Sequence, residues 1–94
     1  MGKIYKNQEV TIGVETGQNI SGATCKLKYK KPSGATGEWS AVITDASTGS
    51  IEYETLTADL DETGTWTLWA DITFDDGAWA PGEPFEETVC EPGN

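Results

Sequence analysis

The segment Thr65–Phe74, TWTLWADITF, alternates with a period of two along its whole length. Trp66, Leu68, Ala70, Ile72 and Phe74 fall on one side, and Thr65, Thr67, Trp69, Asp71 and Thr73 on the other. Successive side chains of an extended strand project to opposite faces, so this pattern predicts a strand with one buried and one solvated face. No window of the chain places apolar residues at helical spacing over three turns, so no long helix is expected.

The same alternation recurs in shorter runs bounded by turn residues. Glu9–Glu15 sets Val10, Ile12 and Val14 on one face. Ala23–Lys31 sets Ala23, Cys25, Leu27 and Tyr29 against Thr24, Lys26, Lys28 and Lys30. Glu38–Thr44 turns Trp39, Ala41 and Ile43 inward, with Val42 breaking the pattern, and Ser50–Leu56 turns Ile51 and Tyr53 inward against Glu52 and Glu54. Phe85–Cys90 turns in Phe85 and Val89. The intervening ETGQNISG, KPSGATG, DASTGS and DDG segments carry turn chemistry. AWAPGEP reads as a further connection, because Pro81 and Pro84 cannot donate to a ladder. Short alternating strands at this spacing predict one all-β domain over residues 1–94, with residues 1–8 an N-terminal arm or edge strand. In a β-sandwich the Ala23–Lys31 and Ser50–Leu56 strands are expected to be antiparallel neighbours, with Lys26, Lys28 and Lys30 opposite Glu52 and Glu54.

Charge narrows the partners. The chain has 16 acidic residues and 6 cationic ones, all lysine, no histidine, and a net charge of −10. Phosphate recognition needs clustered cations, so nucleic acid and anionic membranes are poor partners. A basic protein surface suits the charge, which would speed encounter with it. MGKIYKNQ at the start has no apolar stretch of the kind that marks a signal peptide, which points to synthesis in the cytosol.

Catalysis has little to build on. Without histidine there is no imidazole base, and Cys25 falls on an inward face with nothing to activate it. By parity Cys90 falls on the opposite face from Val89, so both cysteines are expected as free thiols. Asp59, Asp61 and Glu62 before the long strand, with Asp75 and Asp76 after it, lie in sequences that suit calcium and ordinary turns alike; turn chemistry is the preferred account, and neither a metal nor another cofactor is assigned. Tryptophan is the informative excess, at four. Trp39 and Trp66 belong to inward faces. Trp69 alternates outward and Trp79 sits in a loop, so either can anchor a contact or stack on a sugar ring, or Trp69 can pack beneath neighbouring side chains.

The segments NISGATCKLKYKKPSG, ITDASTGSIEYET, TGTWTLWADITFDDG and PFEETV, in this order, resemble the immunoglobulin-like domains of tailed-phage virion proteins. The pattern is similar to the N-terminal domain of the phage baseplate upper protein family. The matching positions are Ser21-Gly22, Pro32-Ser33-Gly34, Asp45 to Tyr53, Gly64 to Trp66, Asp76-Gly77 and Phe85 to Val89. Ser33 stands where that pattern has aspartate, and Glu87 where an apolar residue is common. The resemblance implies an immunoglobulin-like β-sandwich of about seven antiparallel strands. It further implies a non-enzymatic structural or accessory protein of the virion, in the tail, baseplate or capsid, that docks in many copies on other virion proteins. Tyr5, Trp69 and Trp79 are the contact candidates, and the segment Gly2–Gln8 is a strand to lend to a neighbour. The alternative is a small carbohydrate-binding or host-adhesion module that uses Trp69 and Trp79 as a sugar platform.

Overall fold

A computed structural model of the chain describes residues 4–92. They form nine strands and no helix: β1 (Ile4–Tyr5), β2 (Thr11–Glu15), β3 (Thr24–Lys30), β4 (Thr36–Ser40), β5 (Val42–Asp45), β6 (Ser50–Glu54), β7 (Gly64–Thr73), β8 (Trp79–Pro81) and β9 (Phe85–Cys90). The larger sheet has the order β1-β9-β7-β3-β4, with β8 also paired to β7. The smaller has the order β2-β6-β5. All pairings are antiparallel except that of β1 with β9.

The long alternating segment is the spine of the larger sheet. β7 pairs with β3 along Thr67–Thr73 and with β9 along Gly64–Leu68, so its inward residues are flanked on both sides. Trp66, Leu68, Ala70 and Ile72 lose all contact with solvent. Between the sheets runs an aromatic chain. Tyr53 from the smaller sheet stacks on Trp39, Trp39 contacts Tyr29 with centroids 4.5 Å apart, and Tyr29 tilts against Trp66 at 5.5 Å. Gly37 is needed beside this chain for room, not for a left-handed backbone, because a Cβ there would collide with the Tyr29 ring. At Gly34, by contrast, φ is +96°, as the turn after Pro32 demands.

Three sequence expectations are corrected. The Glu38–Thr44 run is two strands. β4 belongs to the larger sheet and β5 to the smaller, and the chain passes between them at Ala41, whose N–H bonds the Cys25 carbonyl at 3.1 Å. That passage explains why Val42 breaks the pattern and stands 65% exposed. Second, β3 and β6 lie in different sheets, so Lys26, Lys28 and Lys30 do not face Glu52 and Glu54. Third, the Pro81 segment does join a ladder. Trp79, Ala80 and Pro81 pair with Thr73, Ile72 and Asp71. The Gly82 N–H bonds the Ala70 carbonyl at 2.7 Å, so the alternation turns the Pro81 nitrogen away from β7, where no donor is missed. The three residues between β8 and β9 form a bulge that restarts pairing at Phe85↔Leu68.

The core extends beyond the strands. Ile20, in the connection after β2, and Leu60, before β7, are as buried as Leu27. The first is held by its N–H to Ala46 O at 2.9 Å; the carbonyl of the second accepts the Asn7 N–H at 2.8 Å. Phe74, expected in the core, is half-buried beside it, as are Val10, Val14, Tyr29, Tyr53 and Phe85. Of the N-terminal segment, Gly2 and Lys3 lie outside the described residues. Ile4 and Tyr5 add their strand to β9 of the same chain.

Candidate functional site: the outer face of the larger sheet

Strand parity places Lys26, Lys28, Trp69, Asp71 and Glu38 together on the outer face of the larger sheet. The registers Lys28↔Trp69, Lys26↔Asp71 and Lys28↔Glu38 set them side by side. Asp71 is the hub. It is only 8% exposed, and both carboxylate oxygens are engaged: Oδ1 accepts the Trp79 indole N–H at 2.9 Å, and Oδ2 faces Lys28 Nζ at 3.1 Å. Lys28 also approaches Glu38 at 3.9 Å, and Glu38 pairs with Lys26 at 2.6 Å. The hydrogen bond from Lys26 to Glu38, together with the charge of Glu38, holds the Lys26 ammonium above its ordinary pKa. Lys26 and Lys28, expected opposite Glu52 and Glu54, are instead paired with carboxylates of their own sheet.

Trp79 stands 63% exposed. Its ring nitrogen is already satisfied by Asp71, so the rest of the indole is an apolar plate held at a fixed angle with no unpaired polar atom. Trp69, half-buried, lines a shallow hollow of about 270 Å³ with Lys28, Thr36, Gly37 and Glu38. A second hollow of about 200 Å³ lies between Lys26, Lys28, Glu38 and Asp71, with Thr24 and Thr73 at its end. The two candidate tryptophans thus share one face and flank Asp71. Tyr5 does not join them. It pairs with Cys90 beside the start of β7, whereas Trp79 pairs with Thr73 at the end, roughly 30 Å away along the strand.

Of the acidic turn residues, Asp59, Asp61, Glu62 and Asp76 have local partners. Asp59 accepts the Tyr53 hydroxyl at 2.6 Å and the Leu56 N–H at 2.7 Å. Asp61 pairs with Lys31 at 2.8 Å, Glu62 takes the Ser33 hydroxyl at 3.0 Å, and Asp76 accepts the Ala78 N–H at 2.9 Å. Lys31 lies 5.7 Å from the Trp66 ring centre. Among the described residues no three histidine, cysteine, aspartate or glutamate side chains converge as metal ligands. Cys25 is buried on the inward face of β3, where desolvation raises its thiol pKa; Cys90 is half-buried at the end of β9, and the two are unbonded.

Sequence reasoning missed Asp71 and Glu38 as functional neighbours. The signal available was an aspartate on the same parity as Trp69 in the most strongly alternating strand, a costly place for a carboxylate unless it is paired. Comparison with known proteins found no matching family model, no similar curated protein and no similar solved structure.

Proposed function

We propose that this chain is a non-enzymatic docking domain of a tailed-phage particle, an immunoglobulin-like accessory protein that binds other virion proteins through the outer face of its larger sheet. The observation that carries the docking function is Trp79: a large apolar side chain presented to solvent with its polar atom already bonded to Asp71. Such a plate is buried by a partner at little entropic or desolvation cost, which is the character of a contact anchor. The virion context rests on the turn motifs, which resemble those of phage immunoglobulin-like domains. Steering comes from the net charge of −10, which favours a basic partner surface.

Mass spectrometry of purified particles of the encoding phage tests this. The chain is expected in a fixed ratio to a capsid or tail protein, and Trp79→Ala is expected to lower that ratio about tenfold or more while leaving the fold intact. A chain abundant in the lysate but absent from particles refutes the proposal. Saturable quenching of tryptophan fluorescence by sugars, without particle association, favours the carbohydrate-binding alternative.

A further inference from the structure

The two flanks of the sandwich are built differently. On one, the chain passes directly from β4 to β5 at Ala41 and ties the sheets together. On the other, β2 and the β8–β9 edge approach without pairing. We propose that this second flank accepts an extended, lysine- or arginine-bearing segment of another protein as an added strand on β2. The inference goes beyond the docking function assigned to the outer face and uses none of its residues.

The backbone of β2 is set for it. Thr55 N–H bonds the Val10 carbonyl at 2.8 Å, and Thr16 N–H bonds the Gly49 carbonyl at 2.9 Å. These bonds fix the phase of the β2–β6 ladder. Val10, Ile12, Val14 and Thr16 turn their amides toward β6, so Thr11, Gly13 and Glu15 turn theirs to the open flank. Those three residues are exposed, and among the described residues no strand pairs with that edge. A free edge of this kind is a template for strand addition, and β2 carries neither lysine nor proline to block it.

Beside that edge lie two hollows. One, of about 340 Å³, is lined by Ile4, Val10, Ile12, Phe85 and Glu87. The other, of about 480 Å³, is lined by Val14, Gln18, Ala70, Gly82, Glu83 and Phe85. Phe85 separates them, so they follow one another along β2. An added strand sends alternate side chains inward, and the two hollows receive apolar residues from the same side of that strand.

Charge selects the occupant. Glu15 and Glu83 line the second hollow and Glu87 the first, and among the described residues no lysine lines either. None of the three has a hydrogen bond or ion pair among the described residues. Glu87 is the informative one: it is half-buried on the inward parity of β9, opposite Trp66, where an apolar residue belongs. A carboxylate there favours an incoming cation. A second copy of this acidic chain is a poor occupant, since like charges would meet across the new pair.

The test titrates the full chain with a short synthetic peptide of alternating lysine and valine, following amide exchange by NMR. Saturable binding is expected, with exchange slowed about tenfold or more at Thr11, Gly13 and Glu15. The double variant Glu83→Lys/Glu87→Lys is expected to weaken binding about tenfold or more, as is high salt. Gly13→Pro removes an outward donor without touching a β6 bond and is expected to do the same, whereas Trp79→Ala, on the other face, leaves binding unchanged. If Gly13→Pro does not fold, the charge reversal decides alone. No saturable binding overturns the proposal. Binding that survives charge reversal, binding abolished by Trp79→Ala, equal binding of a glutamate–valine peptide, or a stable dimer of the chain in sedimentation overturns it equally.

Discussion

Tyr53 lies almost parallel to Trp39, with ring centroids 4.8 Å apart and planes inclined by 10°. One ring belongs to the smaller sheet and the other to the larger, so this stack is where the two sheets grip each other. The Tyr53 hydroxyl reaches past it to Asp59 at 2.6 Å and anchors the loop before β7 to the same point.

Tyr53 gives the protein an alkaline limit. Burial first, and then the hydrogen bond to Asp59 and its charge, push the phenol from 10.0 to about 12. A folded-state value above the unfolded one means that the stabilisation is fully present below pH 10 and is lost as pH rises toward 12. Tyr53→Phe is expected to cost about 1–2 kcal/mol at neutral pH. The melting-temperature gap between wild type and variant is expected to narrow above pH 10. A gap that is constant with pH contradicts this.

Gly49 sits at φ +78°, and a Cβ there would run into Thr16 Oγ1 and the Gln18 carbonyl. Gly77, at φ +90°, faces open space. Gly77→Ala therefore carries only backbone strain, about 1–2 kcal/mol. Gly49→Ala adds a clash with backbone that cannot swing away, and denaturant titration is expected to show a clearly larger loss, about 3 kcal/mol or more.

Ile20 and Leu60 behave as core residues although they lie in connections. Each loses a full side-chain burial on truncation, so Ile20→Ala and Leu60→Ala are each expected to cost about 2–5 kcal/mol in chemical denaturation. Leu56, 61% exposed, is the contrast: Leu56→Ala is expected to stay within about 0.5 kcal/mol.

The two thiols differ in reach. Cys25 is buried against Ile72 with its pKa raised by desolvation, and Cys90 is half-buried at a strand end. A thiol reagent is expected to modify Cys90 in the folded protein and to reach Cys25 only on unfolding. Cys90→Ser is expected to abolish the fast phase; equal rates at the two sites refute the assignment.

The inward faces of β3, β6 and β7 were legible because alternation is a local property of the sequence. What alternation does not encode is which strand lies beside which. Lys26 and Lys28 were assigned the correct face but the wrong partners, because their neighbours Glu38 and Asp71 follow from sheet order. The passage at Ala41 was visible only as a blemish at Val42, since one residue suffices to change sheets. Pro81 misled because a proline is barred from a ladder only where its nitrogen faces the partner, and that depends on phase. Ile20 and Leu60 were invisible to a periodicity argument because single residues in loops have no period. Of the candidate anchors, Trp69 and Trp79 converged because β8 folds back on β7, whereas Tyr5 went to the far end with β1.

The strand that changes sheets at Ala41 acts as the spine of a book whose covers are the two sheets. The hydrogen bond from Ala41 to Cys25 fastens that spine to the larger sheet, and the single step on to β5 limits how far the covers can part there. Opening of the two covers is therefore expected to be widest at the fore-edge, beside Ile4, Val10 and Phe85. Solvent entering by that route is expected to reach those three side chains before Leu27, on the strand next to β4.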